Sequence, residues 1–383
     1  MNVLSPRTLP FHRIARSSIS IVLLALLALG ASLCQSAPAA AARNSSARLG
    51  KAATNLHFNS IINVNMTSQL THAKPEVTFC NGRFYTAWAS IDSPPQLYIG
   101  YSTTPGQIST VVPINDHLWQ FIDMTHHQST GPSIVCWKNS PNGSQLYVAF
   151  TGTNNQLYVG YFDGNPSDGY LNKHSMVSET SNFSPALTVQ PSPNNTLRIA
   201  WTGTDGPQGN SGTLNIKASN DGQNWILKHT WNSQPGQTQQ TASSGPGFAW
   251  YCPSGGSCNP YIGWAGTDTA AQLNIGYFNL NSGLFVKVQV LGGFRMNSHA
   301  GDDVSMAASG STIYMSYSDA SGYGYIAIGY TQNPAGSWTV QDDIAGYGSV
   351  YGVGVGVDPS NGNVWSAWLN NQDIEVTLGQ WTF

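Results

Sequence analysis

The sequence predicts an all-β fold, a single six-bladed β-propeller, on three observations: a composition that starves helices, a two-strand motif repeated six times, and chain ends that complement each other. Only 9% of the 383 residues are charged, against about 25% in an average globular domain. Amphipathic helices need a charged outer face, so a largely helical chain is excluded. The 42 aromatic residues exclude a disordered chain, which is poor in large apolar side chains.

The repeat supplies the elements. One strand recurs as FYTAW (84–88), LYVAF (146–150), LRIAW (197–201), PYIGW (260–264), IYMSY (313–317) and VWSAW (364–368). A polar turn follows each copy, then a second strand: LYIGY (97–101), LYVGY (157–161), LNIKA (214–218), LNIGY (273–277), IAIGY (326–330) and IEVTL (374–378). Both alternate a large apolar residue with Gly, Ala or a polar group, the period of a sheet packed on its faces. A strand precedes each pair, as at PEVTF (75–79) and PALTV (185–189), and a fourth follows most of them, as at WILKH (225–229) and LFVKV (284–288). Each unit is then a four-stranded antiparallel meander, its strands lettered a to d from the inner edge outward. The sixth copy stops at its third strand, while residues 58–66 read as a spare strand ahead of the first unit. The two are expected to pair and close the ring over residues 56–383.

Ahead of the ring, Arg7, Arg13 and Arg16 precede an apolar run (19–33) and small residues (37–42). That is the layout of a secretory signal over 1–42, with a short flexible segment expected over 43–55 and secretion expected for the mature chain. No later run approaches the roughly 18 apolar residues of a membrane span, so no membrane insertion is expected after signal removal. Without the three signal arginines, 12 basic residues face 18 acidic ones, a net charge of −6. The basic residues are scattered singly, which excludes a nucleic-acid partner.

Export permits disulfides. Cys252 and Cys258 bracket a turn-like PSGGS and are expected to bridge. Cys80 and Cys136 occupy comparable inner strands of neighbouring units, where a bridge requires Cα atoms within about 7 Å. No His or second Cys pair stands at metal-ligand spacing, so neither a metal nor any other cofactor is expected. A monomer is expected.

In this topology the b–c and d–a loops share one face. The b–c turns carry an acid or amide at matched positions, Asp92, Asn154, Asp205, Asp268, Asp319 and Asn370, often within Gly-Thr-Asp or Gly-Thr-Asn. Such residues cap tight turns through Asx hydrogen bonds; beside an aromatic face they also form a ring of hydroxyl-binding groups. Both readings stay open. The d–a loops add His126, His127, His299, Asp302 and Asp303, and Glu76 heads strand a of the first unit. Were the protein a hydrolase, Asp302, Asp303, Glu76 and His126 would be its catalytic candidates, because a glycosidase needs two carboxyl groups flanking one bond.

The c–d turn of the third unit, Ser219-Asn-Asp221-Gly222-Gln-Asn-Trp225, resembles the Asp-box (S-x-D-x-G-x-x-W) of sialidase-like propellers, one residue short, and 331–338 is a looser relative. The wider match, SPAL (184–187), AWTGTD (200–205) and LNI (214–216), is similar to the repeat of secreted bacterial propeller proteins. The resemblance implies a structural staple on the face opposite the active site, with Ser219, Asp221 and Gly222 in the hairpin and Trp225 packing inward. It also implies an arginine triad gripping a carboxylate, and here the chain departs from the family. Arg83 falls in an a–b turn, Arg198 within a strand, and Arg295 has no second arginine nearby.

Low charge, aromatic richness and the repeated polar turns lead to a lectin-like, carbohydrate-binding propeller with several weak sites and a glycan or cell-surface polysaccharide as partner. The alternatives are an extracellular protein-interaction scaffold with no small ligand, and a glycoside hydrolase or polysaccharide lyase with one central site.

Overall fold

The computed structural model describes residues 56–63, 73–90, 96–114, 130–152, 154–167, 169–204, 212–231, 241–253, 257–267, 272–295, 303–319, 325–341, 349, 351–369 and 376–382. The signal-like segment and the 43–55 linker lie outside them. An N-terminal strand, β1 (His57–Asn63), is followed by six sheets. Blade 1 holds β2 (Glu76–Cys80), β3 (Arg83–Ala89), β4 (Leu97–Ser102) and β5 (Thr110–Ile114); blade 2 holds β6 (Ser133–Ser140), β7 (Gly143–Thr151), β8 (Gln156–Phe162) and β9 (Asn172–Thr180). Blade 3 comprises β10 (Ala186–Val189), β11 (Leu197–Thr202), β12 (Gly212–Ser219) and β13 (Ile226–Thr230), with a two-residue addition, β14 (Thr241–Ala242), paired to β12. Blade 4 is β15 (Gly247–Tyr251), β16 (Asn259–Ala265), β17 (Gln272–Asn279) and β18 (Leu284–Arg295). Blade 5 is β19 (Ser305–Ser309), β20 (Thr312–Ser318), β21 (Ile326–Thr331) and β22 (Thr339–Gln341), and blade 6 is β23 (Val353–Val357), β24 (Val364–Leu369) and β25 (Val376–Thr382).

Every sheet is antiparallel, and in blades 1 to 5 the four strands a to d lie side by side in chain order. The inner strands β2, β6, β10, β15, β19 and β23 each pack on the next, and β23 returns to β2, so the sheets form a closed ring. The missing fourth strand of blade 6 is β1, which pairs antiparallel with β25, His57 opposite Thr382 and Ile61 opposite Gly379. Strand β25 runs to Thr382, four residues past the expected end. The reason is Trp381: its ring is fully buried, its Nε1 donates to Ser366 Oγ at 2.8 Å, and Phe58 of β1 meets it edge-on at 4.9 Å. The C-terminal segment is thus held in the sheet from both sides, by β24 and by β1.

The core consists of six wedges, one between each pair of neighbouring blades. Aromatic rings fill them, with Trp88, Trp137, Trp201, Trp264 and Trp368 all buried. The recurring Gly of strand c makes room for these rings. A Cβ on Gly276 would stand 2.4 Å from the Trp231 ring, closer than any side chain tolerates. Two disulfides are present. Cys252–Cys258 closes the a–b loop of blade 4, and Cys80–Cys136 joins β2 to β6 with Cα atoms 5.1 Å apart.

The c–d turn at 219–225 is stapled by its own side chains. Ser219 Oγ accepts from Gly222 N (2.9 Å), and Asp221 Oδ1 accepts from Gln223 N (2.8 Å) and Asn224 N (2.7 Å). Burial would raise the Asp221 pKa, but these donors hold it down to about 2. Trp225 packs on the wedge between blades 2 and 3.

Two blades break a repeat shared by the other four: blade 6 sets Trp365 opposite Gln380, and blade 3 carries a cation. The second residue of the recurring strand-b motif is a tyrosine packed on a strand-c tyrosine in blades 1, 2, 4 and 5: Tyr85 on Tyr101, Tyr147 on Tyr161, Tyr261 on Tyr277 and Tyr314 on Tyr330, with centroids 5.2–6.4 Å apart. In blade 3 the pair is Arg198 opposite Ala218. The Arg198 guanidinium is buried over the Trp250 ring, bonds Gln190 Oε1 at 3.0 Å, and leaves Nε without a partner. Burial pushes its pKa down to about 10. A buried cation without a carboxylate costs more desolvation than its contacts return. The double substitution Arg198→Tyr/Ala218→Tyr, which restores the pair of the other blades, is therefore expected to raise Tm by several degrees, on the order of 1–2 kcal/mol. A lower Tm in differential scanning calorimetry would show that the cation–π contact with Trp250 outweighs the desolvation.

Candidate functional site

The b–c and d–a loops open on the end of the ring where the inner strands begin. Three of those heads converge on a buried charge cluster. Lys74, just ahead of β2, donates from Nζ to Glu76 Oε1 at 2.5 Å and to the Val304 carbonyl at 3.1 Å. Glu76 reaches from blade 1 across blade 6 to blade 5, where Ser305 Oγ donates to its Oε2 at 3.0 Å. It can do so because blade 6 presents Gly354 there; a Cβ on Gly354 would lie 3.1 Å from Glu76 Oε2 and 2.2 Å from the Pro75 carbonyl. Ser305 Oγ in turn accepts from Val355 N. Asp303 completes the cluster. Its Oδ1 accepts from Gly245 N at 2.5 Å, while Oδ2 has no hydrogen-bond partner.

All three charged groups are sealed, with 1% exposure at Lys74, 6% at Glu76 and 1% at Asp303. Desolvation raises the Glu76 pKa against the pull of Lys74 and Ser305. Desolvation also pushes Asp303 up to about 6, opposed by Lys74, by Ser184 and by the Gly245 N–H, and reinforced by the charge of Glu76. The other glutamate among the described residues, Glu179, is taken by Lys217 (2.8 Å) and Lys228 (2.6 Å).

The structure thus brings together two of the four acid–base candidates, Glu76 and Asp303, from strands more than 200 residues apart. His126 and Asp302 lie outside the described residues, as do Asp92, Asp205, Asp268, Asn370, His127 and His299. Among the described residues no three His, Cys, Asp or Glu side chains form a metal-holding group. Lys74 was missed, although the strand heads carried a signal. Where other units read Gly131-Pro132-Ser133, Ser184-Pro185-Ala186 and Gly245-Pro246-Gly247, the first reads Lys74-Pro75-Glu76, two charges where its relatives have none.

On the rim, Asn154 is exposed. Its Oδ1 accepts from Gln156 N (3.1 Å), an Asx cap, and its Nδ2 donates to the Tyr158 hydroxyl (2.9 Å). The Tyr158 ring stacks on Phe150 at 5.3 Å, and Tyr98 of blade 1 stacks likewise on Trp88 at 5.7 Å. Asp319 is buried instead; its N–H closes the turn on the Tyr325 carbonyl. The threonines of the Gly-Thr-Asp turns are tied to the preceding d–a segments, Thr204 to Thr180 (2.7 Å) and Thr267 to Thr241 (2.8 Å).

No protein-family model matches the chain, and no curated protein matches it in sequence. Solved structures do match in fold. A mutant of the Aleuria aurantia lectin in complex with Fucα1-6GlcNAc is similar over 82% of this chain and 96% of its own, with a TM-score of 0.55 at 13% identity. A mutant of the α-L-arabinofuranosidase arb93a from Fusarium graminearum, bound to an iminosugar inhibitor, is similar over 84% and 97%, with a TM-score of 0.57 at 10% identity. The Penicillium chrysogenum α-L-arabinanase complexed with arabinobiose is similar over 85% and 98%, with a TM-score of 0.52 at 12% identity. At these identities the likeness establishes the six-bladed propeller and nothing finer.

Proposed function

We propose that this chain is an exported carbohydrate-binding propeller, with a glycan or cell-surface polysaccharide held at several weak sites on the b–c/d–a face. The observation that carries the reading is the rim arrangement of blade 2. An exposed planar amide, Asn154, is fixed beside the hydroxyl of Tyr158, whose ring is stacked on Phe150. A planar polar group next to an aromatic ring is what sugar hydroxyls and the C–H face of a pyranose require. Asp92, Asp205, Asp268, Asp319 and Asn370 are the matched turn residues of the other blades, and His127 and His299 belong to d–a loops of the same face. The fold neighbours, by their names a lectin in complex with Fucα1-6GlcNAc, an α-L-arabinofuranosidase and an α-L-arabinanase, are consistent with a sugar ligand.

Binding is favoured over turnover by the state of the central acids. A hydrolase needs its two carboxyl groups to face a substrate bond. Glu76 and Asp303 face one lysine instead and are closed to solvent. Export rests on the signal-like segment over 1–42 and on two disulfides; N-terminal sequencing of the protein recovered from culture medium tests it. For the sugar, the mature chain on a broad glycan array is expected to give saturable binding to a related set of glycans. Asn154→Ala/Tyr158→Ala should lower that avidity several-fold and Glu76→Gln should not. A blank array, with no hydrolysis of soluble polysaccharides, transfers the face to a protein partner.

A further inference from the structure

A second site stands at the opposite face, between blades 1 and 2. The a–b turn of blade 1 and the b-strand start and c–d turn of blade 2 enclose a cavity of about 260 Å³. Its walls are held before any ligand arrives. The Cys80–Cys136 bridge joins the two inner strands one residue before the cavity begins. Asn81, in the left-handed conformation (φ 51°) that starts the turn, then donates from Nδ2 to the Ser144 carbonyl of the neighbouring blade at 2.8 Å.

Into this cavity projects Arg83, which makes no ion pair among the described residues. The guanidinium lies over the Tyr101 ring at 5.0 Å and hydrogen-bonds Tyr85, contacts that fix its plane without neutralising its charge. Gly164 borders it: its φ is +87°, and a Cβ there would meet Arg83 Nη1 at 3.4 Å, in van der Waals contact. Asp163 also lines the cavity, its two oxygens oriented by Asn165 N (2.8 Å) and Asn172 Nδ2 (2.9 Å). Each carboxylate oxygen still has a lone pair for an incoming hydroxyl.

We infer that this cavity binds one acidic sugar residue, its carboxylate on Arg83 and its ring hydroxyls on Asp163 and Gln145. A planar guanidinium held without a carboxylate matches a carboxylate in bidentate fashion. The fixed acid in the same cavity accepts hydroxyls and disfavours a second anionic group, which selects a monoanionic, hydroxyl-rich ligand over a polyanion. The volume lies just below the 300–1,000 Å³ typical of drug-sized ligands, which suits one ring and not a chain. The site is independent of the rim reading, because it lies at the other end of the ring.

Isothermal titration of the mature disulfide-bonded chain with methyl α-D-galacturonoside and methyl α-D-galactoside tests it. The uronate is expected to bind at least tenfold tighter than the neutral sugar. Arg83→Gln should abolish that preference with Tm unchanged, and Arg83→Lys should keep part of it. Gly164→Val, which fills the space without removing a charge, should weaken the uronate tenfold or more. In the Asn154→Ala/Tyr158→Ala variant the uronate should bind as in the parent, which separates this site from the rim. Equal affinity for the two sugars, no binding of either, or full uronate binding by both Arg83→Gln and Gly164→Val would each overturn the assignment.

Discussion

A chain that begins after Asn63 should lose most of its stability, unfolding roughly 10–20 °C below the parent or aggregating before it melts. The truncation removes the whole of β1, and with it the hydrogen-bonding partner of β25 from Thr377 to Thr382. It also strips Phe58 from Trp381 and Trp368, and Leu56, which is 1% exposed, from its place near Tyr330. Burial of two large side chains and closure of an open sheet edge together contribute on the order of 5 kcal/mol. In a domain of this size each kcal/mol moves Tm by about 2–4 °C. Calorimetry on the truncated chain, with and without a synthetic peptide of residues 54–66, is the measurement. Recovery of Tm with the peptide identifies the lost strand as the clasp. An unchanged Tm without it would mean that the ring is held by its six inner-strand contacts alone.

The second large effect belongs to Lys74. Lys74→Met removes the cation that both buried carboxyl groups face and should cost about 3–5 kcal/mol at neutral pH, because it leaves uncompensated buried charge. The loss should depend on pH in a definite direction. In the parent, Asp303 is pushed up to about 6 and Glu76 is also raised, each mainly by burial. Between about pH 4 and pH 6 the folded state therefore keeps protons that the unfolded chain has released, and stability falls as pH rises through that window. Without Lys74 both carboxyl groups hold their protons to higher pH, so the fall should be steeper and extend further. Denaturant midpoints of the variant should approach those of the parent below about pH 5. Adding Glu76→Gln should recover part of the loss at pH 7, since one of the two stranded charges is gone. A pH-independent deficit in Lys74→Met would show that packing of the lysine stem, and not its charge, is what the cluster needs.

Residue order alone determined a good deal of this protein. The alternation around FYTAW and LYIGY and its five further copies is local chemistry, set by the period of a pleated strand, and it carried the six blades and their antiparallel order. The spare strand at the N-terminus and the unit that lacks one at the C-terminus were equally legible, because a count of strands needs no coordinates. The Cys252–Cys258 bridge was visible as a short turn between two cysteines. The full length of β25 was not, since Gly379-Gln-Trp381 takes its place as a strand between β24 and β1, which pair with it from either side. The two residues of β14 were too few to show a period.

The central cluster depended on tertiary structure to a greater degree. Asp303 and Glu76 stood out as acids near strand heads, but a sequence assigns them no distance, and they read as two half-candidates for catalysis. Ring closure decides otherwise by setting blade 5 within side-chain reach of blade 1 across the bare backbone of Gly354, and by supplying Lys74 between them. The same holds for the cavity at Arg83, whose walls come from two blades and in which Arg83 makes no ion pair among the described residues. Strand, turn and repeat follow from contacts between near neighbours along the chain. Neutralisation, burial and enclosure follow from neighbours that only the closed ring brings together, and these decide which polar residues support the fold and which remain available to a ligand.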